Sequence, residues 1–149
     1  MKEYVLDANA VLRYFGVSDG GGVEKVRGLF EQAERSQARL SMSVINLGEV
    51  FYILLKRVGE QRALHYIQAL QHAVTLVDAD ANRTIQAATL KHRCKLGYAD
   101  SFAAGLALES RATLVSSDPG FEKVGKTLKW MKLPKFETGL RSKKLTSYP

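Results

Sequence analysis

Tyr4-Val5-Leu6-Asp7-Ala8-Asn9-Ala10-Val11-Leu12 decides the fold class. Three apolar residues close on an acid, which reads as a short buried strand ending in a polar turn. Asn9 to Phe15 then reads as a short helix, so strand passes almost directly into helix. The same alternation continues outward. Val23, Val26, Leu29, Phe30 and Ala33 recur at helical spacing, and Arg39 to Ser43 alternates as a second strand. Ser43 suits the N-cap of a helix from Val44 to Val58, and Glu60 to Ala73 predicts another. Val74 to Val77 reads as a third strand, and Asp80 can cap a helix running to about Arg93. Gly97 breaks the chain before a helix from Tyr98 to Ser110. Ala112 to Ser116 is a fourth strand, Asp118-Pro119 opens a short helix, and Thr127 to Met131 predicts a fifth strand. Short strands alternating with helices demand crossover connections. The expected fold is therefore α/β, a three-layer α/β/α sandwich around a central, mostly parallel, short-stranded sheet.

The chain has 149 residues, enough for one domain with a sizeable core, and that domain is expected over residues 1–134. Past Pro134 the hydrophobic periodicity fades. Residues 135–149 carry Lys135, Arg141, Lys143 and Lys144 against Glu137 and read as a poorly ordered basic tail. The single cysteine, Cys94, excludes a disulfide framework and a cysteine zinc site, and it suits a reducing, cytoplasmic setting. No apolar run approaches the ~20 residues a membrane helix needs, and Asp7 interrupts the N-terminus before a signal-peptide core forms. A formal charge of +7 fits a polyanionic partner and fits an ordinary basic protein equally well.

Four acids stand out by position. Asp7 follows the first strand, where an Asx-type turn would explain it as well as a site would. Glu49 falls within a helix that is apolar nearly all round, among Ile45, Tyr52 and Ile53, so the expectation is a buried carboxylate needing a cation. Lys56, seven residues on, would serve that purpose as a structural ion pair. Asp100 sits in the first turn of its helix, where the macrodipole alone favours an acid. Asp118 precedes Pro119 as an N-cap would. What these separate explanations leave out is joint placement, since a parallel sheet brings strand ends and helix starts to one edge. Four acids there repel one another unless a cation binds them. With no Cys or His nearby, an all-oxygen site favours Mg²⁺ or Mn²⁺ over zinc, and carboxylate-held ions suit phosphodiester hydrolysis.

Val5 to Leu12, Ser43 to Val50, Leu96 to Ala104 and Leu114 to Phe121 resemble, in order and spacing, the four motifs of PIN-domain ribonucleases. The nearest likeness is to VapC-type toxins of toxin–antitoxin pairs, and it covers Tyr4 to about Met131. The resemblance implies Mg²⁺- or Mn²⁺-dependent endonucleolytic cleavage of RNA, with Asp7, Glu49, Asp100 and Asp118 as metal-site and catalytic residues. It also implies that Asn9 and Ser116 orient those carboxylates, that the protein is a homodimer, and that a small antitoxin holds it inactive. Asn9 stands where Thr or Ser is commoner in the family, and Pro119-Gly120 is an unusual start to the last helix.

Lys91, Arg93 and Lys95 form a basic patch before the Asp100 segment; it suits a helix C-terminus and equally suits RNA phosphates. Trp130 reads as a packing residue before a base-stacking one. Two other functions compete with the toxin reading. A PIN-type RNA-processing or RNA-binding protein would need no antitoxin. An aspartate-nucleophile phosphatase would want a second Asp where Asn9 stands. With four of the 15 acids assigned to one pocket, 22 basic residues face 11 acids elsewhere. The modest net charge thus averages a negative hole and a strongly basic surround.

Overall fold

The computed structural model describes residues 1–17 and 21–135. Strand β1 (Lys2–Leu6) leads into helices α1 (Ala8–Tyr14) and α2 (Val23–Glu34), then β2 (Ala38–Ser43). Helices α3 (Val44–Val58) and α4 (Glu60–Ala73) carry the chain to β3 (Thr75–Val77), and α5 (Ala81–Cys94) and α6 (Tyr98–Ser110) to β4 (Thr113–Ser116). A 3-10 helix (Pro119–Val124) precedes the last described strand, β5 (Trp130–Lys132). Of the expected basic tail only Lys135 lies among the described residues; the reading of 136–149 falls outside them.

The five strands form one sheet in the order β3-β2-β1-β4-β5, and every pairing is parallel. The expected mostly parallel sheet is thus parallel throughout. Alternation along each strand sends side chains to two cores. Tyr4, Leu6, Leu40, Met42 and Val115 face the side packed by α1 to α4, while Val5 and Leu114 face the side packed by α6. Leu6 and Leu114 are fully buried, each contributing roughly 1.5–3 kcal/mol relative to exposure. Helix α6 is built from Ala103, Ala104, Gly105 and Ala107, small enough to lie close on the sheet and on α5, where Gly105 faces Leu90.

Several local expectations are refined. Ser43 does cap α3, its Oγ accepting from Ile45 N at 3.2 Å, and Asp80 caps α5, accepting from Arg83 N at 2.9 Å. Val74 closes α4 rather than opening β3, and β5 starts three residues later than its apolar run suggested. The short helix expected after Asp118 is present as six residues of 3-10 helix, with Pro119 in its first turn and the Asp118 carboxylate as its cap. The larger correction concerns α3. Its fully buried stripe is Asn46, Val50 and Leu54, whereas Tyr52 is 61% exposed and Glu49 is only half-buried. An all-round apolar sequence lies here at the surface, with one face packed and the other open.

Going outward from β1, the chain crosses to β2 on one side and, later, to β4 on the other. The strand order reverses between β1 and β4, and in such sheets the crevice beyond the strand C-termini at that point is where ligands bind. Asp7 stands at one wall of that crevice and Ser116, Ser117 and Asp118 at the other, joined by the bond from Asp7 N to Val115 O at 3.1 Å.

Candidate active site

Asp7 is 3% exposed and held by three donors. Its Oδ1 accepts from Ala8 N at 2.9 Å, which caps α1, and its Oδ2 accepts from Ser116 Oγ at 2.7 Å and Asn9 Nδ2 at 3.1 Å. Burial nonetheless outweighs these bonds. It raises the carboxyl to about 6, with repulsion from Glu49 and Asp118 adding to the rise and the Ser116 and Ala8 bonds opposing it.

Asp100 enters from the other side of the sheet, on the first turn of α6. Burial again comes first, then repulsion by Asp7, a hydrogen bond with Asp118, and the charges of Asp118 and Glu49; together they raise it to about 8. Acids from four separate segments therefore feel one another. Gly97 makes room for this: a Cβ there would stand 3.1 Å from Asp100 Oδ2. Asp118 uses Oδ1 to cap the 3-10 helix through Gly120 N at 2.8 Å. The unusual Pro119-Gly120 pair thus fastens this carboxylate at the site.

Glu49 is fixed by a residue the sequence reading passed over. Asn46 is fully buried on the same helix, one turn earlier, and its Nδ2 donates both to Glu49 Oε1 and to the Ala99 carbonyl, each at 3.1 Å. One amide thereby ties α3 to the turn that presents Asp100. Its Oδ1 is buried with no partner among the described residues. Lys56 is not the counter-ion expected for Glu49; its ammonium lies over the Tyr52 ring at 5.1 Å. The described ion pairs, Arg27–Glu24, Arg39–Glu3, Arg83–Asp80, Arg83–Glu109 and Lys132–Glu122, are surface features that include none of the four acids.

Asn9 and Ser116 sit between the carboxylates rather than among them. Ser116 Oγ donates to Asp7 and accepts from Asn9 Nδ2 at 2.9 Å and from Asp118 N at 3.1 Å, so one hydroxyl links three site residues. Behind it, Trp130 Nε1 and Leu133 N donate to the Ser116 carbonyl at 3.0 and 2.9 Å, which fixes the end of β4 and accounts for Trp130 as a packing residue. Asn9 Oδ1 accepts from Ser117 N at 3.1 Å and from Arg13 Nη1 at 3.2 Å. Two signals could have found the missed residues, since Arg13 lies four residues from Asn9 and Asn46 three from Glu49, both facing spacings on a helix.

The basic patch lies at the end of α5 and in the turn leading to Asp100. Lys91, Arg93 and Lys95 are exposed. Lys91 Nζ closes the helix end by donating to the Leu96 carbonyl at 3.0 Å, and Lys95 takes a left-handed conformation at φ 55°. Arg93 and Lys95 present their charge to solvent.

Among the described residues no three Asp, Glu, His or Cys side chains form a ready-made ligand group for a metal ion. The donor chemistry nevertheless fits a hard divalent cation: the acids supply only oxygen, they come from four segments, and burial followed by mutual repulsion raises Asp100 to about 8. A cation in that place would relieve that repulsion.

A family-level sequence profile described as PIN domain matches residues 4–127. Among solved structures, a chain of the DNA-bound VapBC complex from Salmonella typhimurium superposes with a TM-score of 0.71 at 19% identity, covering 89% of this chain and 98% of that one. The VapBC2 complex from Rickettsia felis, bound to a DNA fragment from its promoter, gives 0.69 at 19% identity over 88% and 98%. VapC20 of Mycobacterium tuberculosis, a toxin that cleaves the sarcin–ricin loop, gives 0.62 at 17% identity over 82% and 95%. No curated protein sequence matches the chain. The chain belongs to the PIN-domain family, and its fold is the one those toxin–antitoxin structures share.

Proposed function

We propose that this PIN-domain chain is a divalent-metal-dependent endoribonuclease and the toxin of a toxin–antitoxin pair. The observation that carries the nuclease reading is the convergence of Asp7, Glu49, Asp100 and Asp118 on one crevice, where burial first and mutual repulsion second raise the carboxyls of Asp7 and Asp100 above their ordinary range. Those four would hold Mg²⁺ or Mn²⁺, which when bound supplies Lewis-acid stabilisation of phosphoryl charge and a water activated near neutral pH.

The chain's own residues supply the positioning. Ser116, Asn9 and the Ala8 N–H keep the Asp7 carboxyl fixed through three donated bonds. Asn46 holds Glu49 and the Asp100 turn at a constant separation. Arg93 and Lys95 draw the polyanion toward a pocket that would otherwise repel it. In the reaction, water oxygen bonds to phosphorus as the P–O3′ bond breaks. The departing 3′ oxygen takes up a proton, leaving 5′-phosphate and 3′-hydroxyl ends.

The toxin part of the reading draws on the structural neighbours, which include DNA-bound VapBC complexes and a VapC toxin that cleaves the sarcin–ricin loop. It implies a small cognate antitoxin, a homodimer, and action in the cytoplasm. No helix among the described residues is long and apolar enough to cross a membrane. The test is cleavage of single-stranded and structured RNA by purified protein with Mg²⁺ or Mn²⁺. Cleavage should stop with EDTA and in Asp100→Asn; cutting that persists in an Asp7→Asn/Asp100→Asn double variant refutes the mechanism. Growth arrest on expression, relieved by the product of an adjacent short reading frame, separates a toxin from an RNA-processing enzyme.

A further inference from the structure

Arg13 is the largest fully buried side chain in the described structure, 0% exposed within helix α1. Burial of a guanidinium is costly, and it lowers this one's pKa from the ordinary arginine value. The contacts explain why the position is occupied. Nη1 donates to Asn9 Oδ1 at 3.2 Å, and Nη2 donates to the carbonyl of Pro134, where the chain leaves β5.

Asn9 is the junction. Its Nδ2 faces two oxygens at the heart of the site, Asp7 Oδ2 at 3.1 Å and Ser116 Oγ at 2.9 Å. An amide can rotate by half a turn, which here would set Oδ1 against the Asp7 carboxylate, lone pair to lone pair. Donors on the far side oppose that as well, Ser117 N at 3.1 Å and Arg13 Nη1 at 3.2 Å, so the amide is held from both ends. A guanidinium is donor-only and fixed in its fork, so it reads an oxygen and rejects an NH₂ group. Its second arm on Pro134 sets the angle of the first. The chain of contacts therefore runs from the end of β5 through Arg13 and Asn9 to Asp7.

We propose that Arg13 is a positioning residue for the carboxylate site, locking the Asn9 amide so that it donates to Asp7 and Ser116. This rests on the metal-site reading above. Outer partners of ligating carboxylates typically change metal affinity by ~10–100-fold; because Ser117 N also holds Asn9, the lower end applies.

The test uses full-length protein and Mn²⁺ alone, with free Mn²⁺ followed by electron paramagnetic resonance. Arg13→Gln should weaken Mn²⁺ binding about tenfold while circular dichroism stays unchanged. Arg13→Lys, which keeps one donor for Asn9, should recover part of the loss. In an Asn9→Ala background, Arg13→Gln should change the affinity less than about twofold, since the amide it orients is gone. A purely structural arginine would weaken both backgrounds alike. In the metal-free protein the Asn9 side-chain amide NMR resonances should shift in Arg13→Gln, because the charged hydrogen bond to Oδ1 is lost. Arg13 variants within twofold of wild type on Mn²⁺, with those resonances unmoved, overturn the proposal, and so does a tenfold effect that survives in Asn9→Ala. If Arg13→Gln does not fold, Arg13→Lys is judged by the same two readouts. Failure of the wild type itself to bind Mn²⁺ would instead overturn the metal-site reading from which this one proceeds.

Discussion

The stability of the metal-free protein should fall as pH rises through the neutral range, the reverse of the usual carboxylate behaviour. Asp7 carries the clearest case. Its carboxyl is raised from 3.8 to about 6 in the fold, so between those values the folded state keeps a proton that the unfolded chain has released. With more protons bound in the native state, the slope of unfolding free energy against pH is negative. The full raise is worth about 3 kcal/mol at ~1.4 kcal/mol per unit. Of this, about 1.4 kcal/mol falls between pH 5 and 8, above the range where ordinary acids titrate. Asp100, raised to about 8, carries the slope on toward pH 8. That group is half-exposed, and solvent screening cuts its contribution to about 1–2 kcal/mol. The expected loss from pH 5 to pH 8 is thus about 3 kcal/mol. Urea unfolding in EDTA, read by fluorescence of the one tryptophan, Trp130, whose indole is tied to the Ser116 carbonyl, measures it directly. Saturating Mg²⁺ or Mn²⁺ should flatten the slope, because the cation binds the ionised site in the native state alone. Asp100→Asn should be more stable than wild type at pH 8 in EDTA by about 1–2 kcal/mol, with a shallower slope, while losing cleavage. Stability that is flat or rising from pH 5 to 8 in EDTA, or a slope unchanged in Asp100→Asn, would refute the argument that these acids crowd one another.

Asn46→Ala should cost about 2 kcal/mol, since it removes both bonds donated by the buried amide, to the Ala99 carbonyl and to Glu49; urea titration gives the stability, and Mn²⁺ affinity should fall in parallel. Gly97→Ala separates site from fold: its φ of −62° suits alanine, yet the new Cβ would meet Asp100 Oδ2 at 3.1 Å. The melting temperature should barely move while cleavage drops several-fold. Arg93→Glu/Lys95→Glu should raise KM for RNA with little change in kcat, and should lower the dependence of log KM on log salt by about 0.7 per lost phosphate contact.

The sheet and the order of its elements were legible because the chain's apolar residues follow the periods that parallel α/β packing imposes. Tyr4 and Leu6 against Val5 show the two-residue alternation, and Val26, Leu29 and Phe30 show the helical one. Asp7, Asp100 and Asp118 were readable as candidates because acids at strand ends and helix starts have few places to go other than the sheet's C-terminal edge, and Glu49 because it interrupts an otherwise apolar helix. The environment of Glu49 was not. Hydropathy says how apolar α3 is but not which face meets the core, and the exposed Tyr52 and buried Asn46 reverse the simple expectation.

Arg13 and Asn46 were illegible for a related reason. A basic residue in a helix and an amide in a helix are commonplace, and each gains meaning only from a partner far away in the chain: Pro134 for Arg13, Ala99 for Asn46. Both sit one turn from a residue of the site, and both use one arm locally and one across the fold. That arrangement is what a site of mutually repelling acids requires. Before any cation is bound, the hydrogen bond between Asp100 and Asp118 joins only those two acids, so the separations of Asp7 and Glu49 are set from outside by neutral or positive donors anchored to rigid elements. Ser116 does this from β4, Asn46 from α3 and Arg13 from α1. Each of these residues should therefore matter more for how tightly the site closes on a divalent ion than for whether the protein folds, and the ratio of those two losses distinguishes a supported site from a merely acidic cleft.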